Sequence, residues 1–131
     1  MNKIIPVSEN GRTFRIKNNS SYTVNKVKVD GCYIKTQTGI KCDYLFEIIK
    51  INIDKVFYVE LKGSDIQHAV AQLASTLSHC FPLHNSALRE CHIVGSKFPK
   101  AGTDSQVLKK KFLKETKVQL YINTKIHEKV I

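Results

Sequence analysis

Val56-Phe57-Tyr58-Val59-Glu60-Leu61-Lys62-Gly63 decides how this chain is read. It is rich in β-branched and aromatic residues and closes on a glycine, the pattern of a buried strand. Alternate residues of a strand face the same way, so Glu60 and Lys62 share one face and Val59 and Leu61 the other. A second run, Cys42-Asp43-Tyr44-Leu45-Phe46-Glu47-Ile48-Ile49, has the same character, and Asn52-Ile53-Asp54 can turn between the two. Paired as a hairpin, the runs bring Asp43 beside Glu60 and Lys62. A charge in a buried strand is costly unless it is paired or used. Two acids and a lysine on one sheet face make a divalent-metal site suited to phosphate.

Outward from that pair, the chain reads as strands, then a helix, a strand, a helix and a strand. Phe14 and Ile16 alternate with Arg15 and Lys17, which suggests a short strand in an otherwise aperiodic N-terminal stretch. Tyr22 to Val29 alternates apolar and basic residues, as a half-buried strand does. Asp30-Gly31 is a turn signal, and Cys32-Tyr33-Ile34 continues as strand. The near-continuous apolar character around Asp43 and Glu60 suggests central strands covered on both faces. Beyond Gly63, Ser64 can cap a helix whose stripe is Ile66, Val70, Leu73, Leu77 and Phe81, ending before Pro82. Arg89 to Val94 reads as a strand, Thr103 or Asp104 can cap a basic helix through Lys114, and Val118 to Ile122 reads as a last strand. The expectation is one domain over residues 1–131, α/β in class, with a mixed sheet formed by a meander and then crossovers.

The chain carries 21 basic residues against 11 acidic, a net charge of +10, which favours a polyanionic partner, nucleic acid ahead of an anionic membrane. No apolar run approaches bilayer length and the N-terminal residues lack the apolar core of a signal peptide, so the expectation is a cytoplasmic protein without a membrane role. Cys32, Cys42, Cys80 and Cys91 form no CxxC pair. With His79 and His92 beside two of them, zinc is conceivable, but the spacing matches no structural zinc pattern, and free buried thiols are the better reading.

Asp43 and Glu60 supply two carboxylates, and the Leu61 carbonyl is close enough to add a third oxygen, a donor set for Mg²⁺ or Mn²⁺. Lys62 can orient or deprotonate an attacking water, or steady charge on the phosphate. This arrangement resembles the PD-(D/E)xK nuclease superfamily, which has a restriction-endonuclease-like α/β/α sandwich with a central mixed sheet. Asp43 fits the family's first acidic position, with Cys42 where proline is frequent, and Glu60-Leu61-Lys62 fits its (D/E)xK strand. Gln72, in the helix that follows, stands where several branches carry a glutamine. The resemblance implies a metal-dependent nuclease acting on DNA ahead of RNA, with Asp43, Glu60, Lys62 and Gln72 as catalytic residues and Asp43, Glu60 and Leu61 holding metal. It also implies a homodimer, because small members cut two strands with two sites. Many members have a further acid ahead of the sheet; Glu9 and Asp30 are the candidates here, and Glu47 could be an additional carboxylate on the face of Asp43.

Other residues have plainer readings. His79, His84 and His127 read as ordinary polar or capping residues, whereas His68 shares a helix flank with Gln72. Lys109, Lys110 and Lys111 in the second helix, and Lys97 and Lys100 in a basic loop, could track a nucleic-acid backbone or simply face solvent. Glu60 and Lys62 could likewise be a cross-strand ion pair on a wet face. The alternative function is a catalytically inactive nuclease-fold module that binds nucleic acid or assembles a complex. A basic adaptor with no nucleic-acid role is a third.

Overall fold

The computed structural model describes residues 4–29, 42–62, 66–95 and 103–131. In chain order they form β1 (Ile4–Glu9), β2 (Arg12–Lys17), β3 (Thr23–Lys28), β4 (Tyr44–Ile49), β5 (Ile53–Lys62), α1 (Ile66–His84), β6 (Leu88–Gly95), α2 (Thr103–Thr116), β7 (Gln119–Thr124) and β8 (Ile126–Val130). The fold is α/β, with two mixed sheets and two helices.

The larger sheet has the strand order β3-β4-β5-β6-β7. Its first three strands are an antiparallel meander, and β5, β6 and β7 run parallel. Parallel neighbours need crossovers, which α1 and α2 provide. Both crossovers step the same way along the sheet, so their right-handedness puts both helices on one face. There Leu45, Val56, Tyr58, Cys91, Ile93 and Leu120 pack against Ala69, Leu73 and Leu77 of α1 and Phe112 of α2.

The opposite face differs from the expected second helical layer. Among the described residues it is covered by a three-stranded sheet, order β1-β2-β8. Phe46, Ile48, Phe57, Val59 and Leu61 meet Val7, Phe14 and Ile16 across this interface. The N-terminal stretch, expected to hold one short strand, is therefore a hairpin. Asn10 (φ 50°) and Gly11 (φ 80°) form its two-residue loop, and such loops need left-handed residues at both positions to match the strand twist. Asn-Gly is that signal in the sequence. Buried Arg12, Phe14 and Ile16 then alternate along β2. β8 pairs with β2 in parallel. It changes sheets through Lys125, left-handed at φ 64°, whose N–H donates to the Gly95 carbonyl at 2.7 Å.

Both helix ends have local causes. α2 stops at Lys117, left-handed at φ 63°, whose N–H returns to the Leu113 carbonyl at 2.9 Å. α1 runs past Pro82 to His84 rather than ending before the proline. Proline removes the hydrogen bond to the carbonyl four residues back, that of Ser78, an exposed position. The last turn persists because buried His84 is bonded beneath the helix to Tyr58 and Glu47. The expected turn at Asp30-Gly31, the strand at Cys32-Tyr33-Ile34 and the cap at Ser64 lie outside the described residues. No described helix is long and apolar enough to cross a membrane.

Candidate functional site

β4 and β5 pair with Tyr44 opposite Val59, so the register one step further sets Asp43 against Glu60. Side chains complete that step of the ladder. The Asp43 N–H donates to Glu60 Oε1 at 3.0 Å, and the Leu61 N–H donates to Asp43 Oδ2 at 2.9 Å. Each carboxylate is thus bonded to the strand that carries the other. The expected meeting of Asp43 and Glu60 is realised, with Leu61 contributing its amide to the same clasp. Lys62 ends β5 two residues beyond Glu60, in register with Gly95 of β6. The site therefore lies at the carboxyl end of a parallel pair, next to where the sheet changes from antiparallel to parallel. In open α/β sheets, ligands bind outside the carboxyl ends of the parallel strands.

Two further contacts hold Asp43 in place. Its carbonyl accepts the Val29 N–H at 3.0 Å, and the preceding Cys42 N–H donates to Thr76 Oγ1 at 2.8 Å. Thr76 in turn donates to the Gln72 carbonyl at 2.8 Å. α1 is thus tied to the site through Thr76, one turn after Gln72. Sequence reasoning missed Thr76, although a hydroxyl three residues from Leu73 in an apolar helix was a visible cue.

Glu60 is 1% exposed, whereas Asp43 is half-buried. The Cys42 thiol registers the local potential. Burial above all, then the Glu60 and Asp43 charges, push it well above its ordinary range, against the lowering effect of the neighbouring Thr76 hydroxyl. It is a neutral packing group, not a nucleophile. Cys80 and Cys91 are also free and buried, and burial raises both, Cys80 to about 11. Cys91 and His92 are neighbours on β6 and face opposite sides of the sheet, so one metal cannot take both.

A cleft of about 280 Å³ opens beside Asp43, lined by Glu9, Lys28, Asp43 and Tyr44. Glu9, one of the two candidates for the acid ahead of the sheet, is therefore brought next to Asp43 by the β1–β2 turn. Asp30, the other, lies outside the described residues, as do Lys97 and Lys100. Lys110 and Lys111 are exposed on α2 and Lys109 is half-buried.

Glu47 does not join this group. Four residues along a strand is about 13 Å from Asp43. Its carboxylate takes Asn25 Nδ2 at 2.8 Å and His84 Nε2 at 2.7 Å, and His84 Nδ1 meets the Tyr58 hydroxyl at 2.5 Å. Burial raises the Tyr58 phenol well above its usual range. His84 is thus a wholly buried bridge, where an ordinary polar or capping residue was expected. His79 fits that plainer reading, exposed and bonded to the Ser75 carbonyl at 3.2 Å.

Oxygen donors such as Asp43 and Glu60 suit Mg²⁺, which binds through one or two carboxylates and keeps waters as its remaining ligands. Among the described residues no three His, Cys, Asp or Glu side chains form a ready cage, and that mode of binding does not call for one. No family model, curated protein or solved structure matches the chain. What defines its class is an α/β fold carrying a carboxylate pair at the carboxyl end of a parallel strand pair.

Proposed function

We propose that the chain is a metal-dependent nuclease that hydrolyses phosphodiester bonds, in DNA ahead of RNA. The observation that carries this reading is the reciprocal clasp of Asp43 and Glu60 at the end of β5. Asp43 and Glu60, with the Leu61 backbone, are the residues that would hold Mg²⁺ or Mn²⁺. When bound there, the ion supplies Lewis acidity and a water of lowered pKa. The chain's own contribution is positional. The Asp43 and Leu61 amides fix one oxygen of each carboxylate, so neither side chain has to reorganise during reaction. Lys62 is assigned to the attacking water or the phosphate, and Gln72 to positioning. Glu9, on the cleft it shares with Asp43, is the acid we assign ahead of the sheet. A net charge of +10 draws the polyanion in, with Lys109, Lys110 and Lys111 of α2 and Lys97 and Lys100 as backbone contacts. The resemblance to PD-(D/E)xK nucleases supports a restriction-endonuclease-like scaffold and action as a homodimer.

One observation favours the second reading, a module that binds nucleic acid without cutting it. Both carboxylates already accept backbone amides, so the clasp also works as a structural clip. The deciding experiment incubates duplex, single-stranded and branched DNA, and RNA, with Mg²⁺ or Mn²⁺ and either the wild-type protein or Lys62→Ala. The expected result is metal-dependent cleavage that falls at least about a hundredfold in the variant. Cleavage that survives Lys62→Ala sinks the mechanism. Salt-sensitive binding without cleavage supports the second reading.

A further inference from the structure

The walls of the cleft beside Asp43 are chemically unlike one another. Lys28 and Tyr44 are directly opposed across β3 and β4, so their side chains leave the larger sheet on the same face, the one turned toward the small sheet. Tyr44 packs in part against the core between the sheets and is half-buried. Lys28 is exposed. Glu9 enters from the last position of β1, and Asp43 stands at the rim, where its carboxylate also belongs to the clasp with Glu60. Among the described residues the cleft thus offers the Tyr44 ring and the Lys28 ammonium on the face of β4 away from α1, with the acids Glu9 and Asp43 at its edge.

We infer that this cleft is a subsite for one unpaired nucleotide, with Tyr44 as the stacking surface for the base and Lys28 as the partner of its phosphate. The inference rests on the reading of the chain as a nuclease and names the kind of nucleic acid that site takes. Size argues for a single nucleotide. At about 280 Å³ the cleft lies near the lower bound of pockets that hold drug-sized molecules, roughly 300 Å³. A paired base, with its partner strand attached, does not fit such a space. Chemistry argues for an exposed base edge. Glu9 accepts hydrogen bonds, as the amino groups of adenine, cytosine and guanine require, and the Watson–Crick edge of a base is open to it only where that base is unpaired. Stacking on a tyrosine is indifferent to sequence, because every base has a π-face. The Lys28 ammonium gives the phosphate its counter-charge. Asp43 makes the link to catalysis, because a nucleotide in the cleft touches the residue that would hold the metal. The preferred substrate is then single-stranded, or branched or flapped with an unpaired nucleotide at the cut.

The test is equilibrium binding with Ca²⁺ in place of Mg²⁺, using one short oligonucleotide carrying a fluorescent adenine analogue, single-stranded and as a duplex. Wild-type protein should bind the single strand more tightly and quench the analogue. Tyr44→Leu should weaken single-strand binding roughly tenfold and leave duplex binding unchanged, and Tyr44→Phe should restore it. Should Tyr44→Leu fail to fold, Lys28→Gln decides. It should lower single-strand affinity about threefold, with a smaller effect on the duplex. Equal loss for the two forms, or no loss, overturns the subsite. Cleavage measured in parallel with Mg²⁺ separates the two readings. Tyr44-dependent single-strand binding without any cleavage keeps the subsite and removes the nuclease. Cleavage dependent on Lys62 but indifferent to Tyr44 and Lys28 removes the subsite and keeps the nuclease.

Discussion

Glu60 and Glu47 stand on neighbouring strands, on the side of the sheet covered by α1, and both are nearly out of solvent at 1% and 8% exposure. Their surroundings differ in what they close off. Glu47 is held by the side chains of Asn25 and His84, and His84 carries the network on to Tyr58, so a carboxylate, an imidazole and a phenol satisfy one another in the interior. Glu60 is held by a backbone amide, and its neighbour Asp43 looks onto a cleft. Burial alone therefore does not separate a site from a support. A carboxylate bound by main chain is fixed by groups that hold their place in the ladder, and beside an opening it is positioned for a ligand. A carboxylate bound by side chains in a closed space is a pin.

The sharpest way to break that comparison is to neutralise each glutamate in turn. Glu60→Gln keeps the side-chain volume and removes one of the two charges assigned to the metal. Cleavage should fall about a thousandfold, equivalent to roughly 4 kcal/mol of barrier. Glu47→Gln should leave the single-turnover rate within a few-fold of wild type while lowering stability. Equal rate losses from the two variants would mean that the open and closed ends do not divide the work.

Stability should show the reverse order. His84→Ala leaves Glu47 and the Tyr58 hydroxyl buried without their shared partner, which should cost about 3 kcal/mol, or roughly 10 °C in Tm. Glu60→Gln can still accept the Asp43 amide through its carbonyl oxygen and should cost about 1 kcal/mol. Urea unfolding measures both. Combining His84→Ala with Tyr58→Phe should cost less than the sum of the single changes, because the two residues belong to one network. Strict additivity would show that His84 and Tyr58 do not act together.

The strands around Asp43 and Glu60 were legible because central strands are long and apolar, and because a carboxylate within such a strand stands out. The α1 stripe was legible for the same reason, as Leu73 and Leu77 recur on one helical face. The second sheet was not. β1 and β8 are each covered on one side only, and their burial is interrupted, so little alternation survives in Ile4–Glu9 or Ile126–Val130. The Asn10-Gly11 dipeptide carried the hairpin signal, but without strong periodicity the stretch ahead of it did not read as a strand. The closed network was hidden for a different reason. Asn25, Glu47, Tyr58 and His84 are far apart in sequence, and only the pairing of β3, β4 and β5 under α1 unites them. The residues of the site lie close together along two adjacent strands, which is why pairs of short motifs revealed them.

A second closed network, on the other face of the sheet, gives the finest test of a carboxylate held by side chains. Glu90 Oε1 accepts His92 Nε2–H at 3.1 Å and Lys129 Nζ at 3.2 Å. The His92 ring stacks on Tyr121 at 4.9 Å, lies 5.4 Å from His127 and 4.8 Å from Phe14, and its buried Nδ1 has no hydrogen-bond partner among the described residues. Burial holds His92 below its ordinary pKa of 6.5 despite Glu90, and burial with Lys129 nearby lowers His127 as well. Burial disfavours the Glu90 carboxylate too, but the bonds from His92 and Lys129 outweigh it and keep its pKa below 4.5. A histidine whose folded pKa is depressed leaves the unfolded chain holding more protons just below pH 6.5, so stability falls as pH drops through that value. Glu90 adds its own loss at lower pH, as it is protonated in the folded state. Between about pH 7.5 and about pH 5 wild-type stability should therefore decline, by at most about 1.4 kcal/mol per pH unit for each histidine. His92→Phe keeps the aromatic stack and removes one of the two depressed histidines, so its urea midpoint should be flatter over that range. A wild-type slope retained in His92→Phe would assign the acid sensitivity to His127 and Glu90 alone.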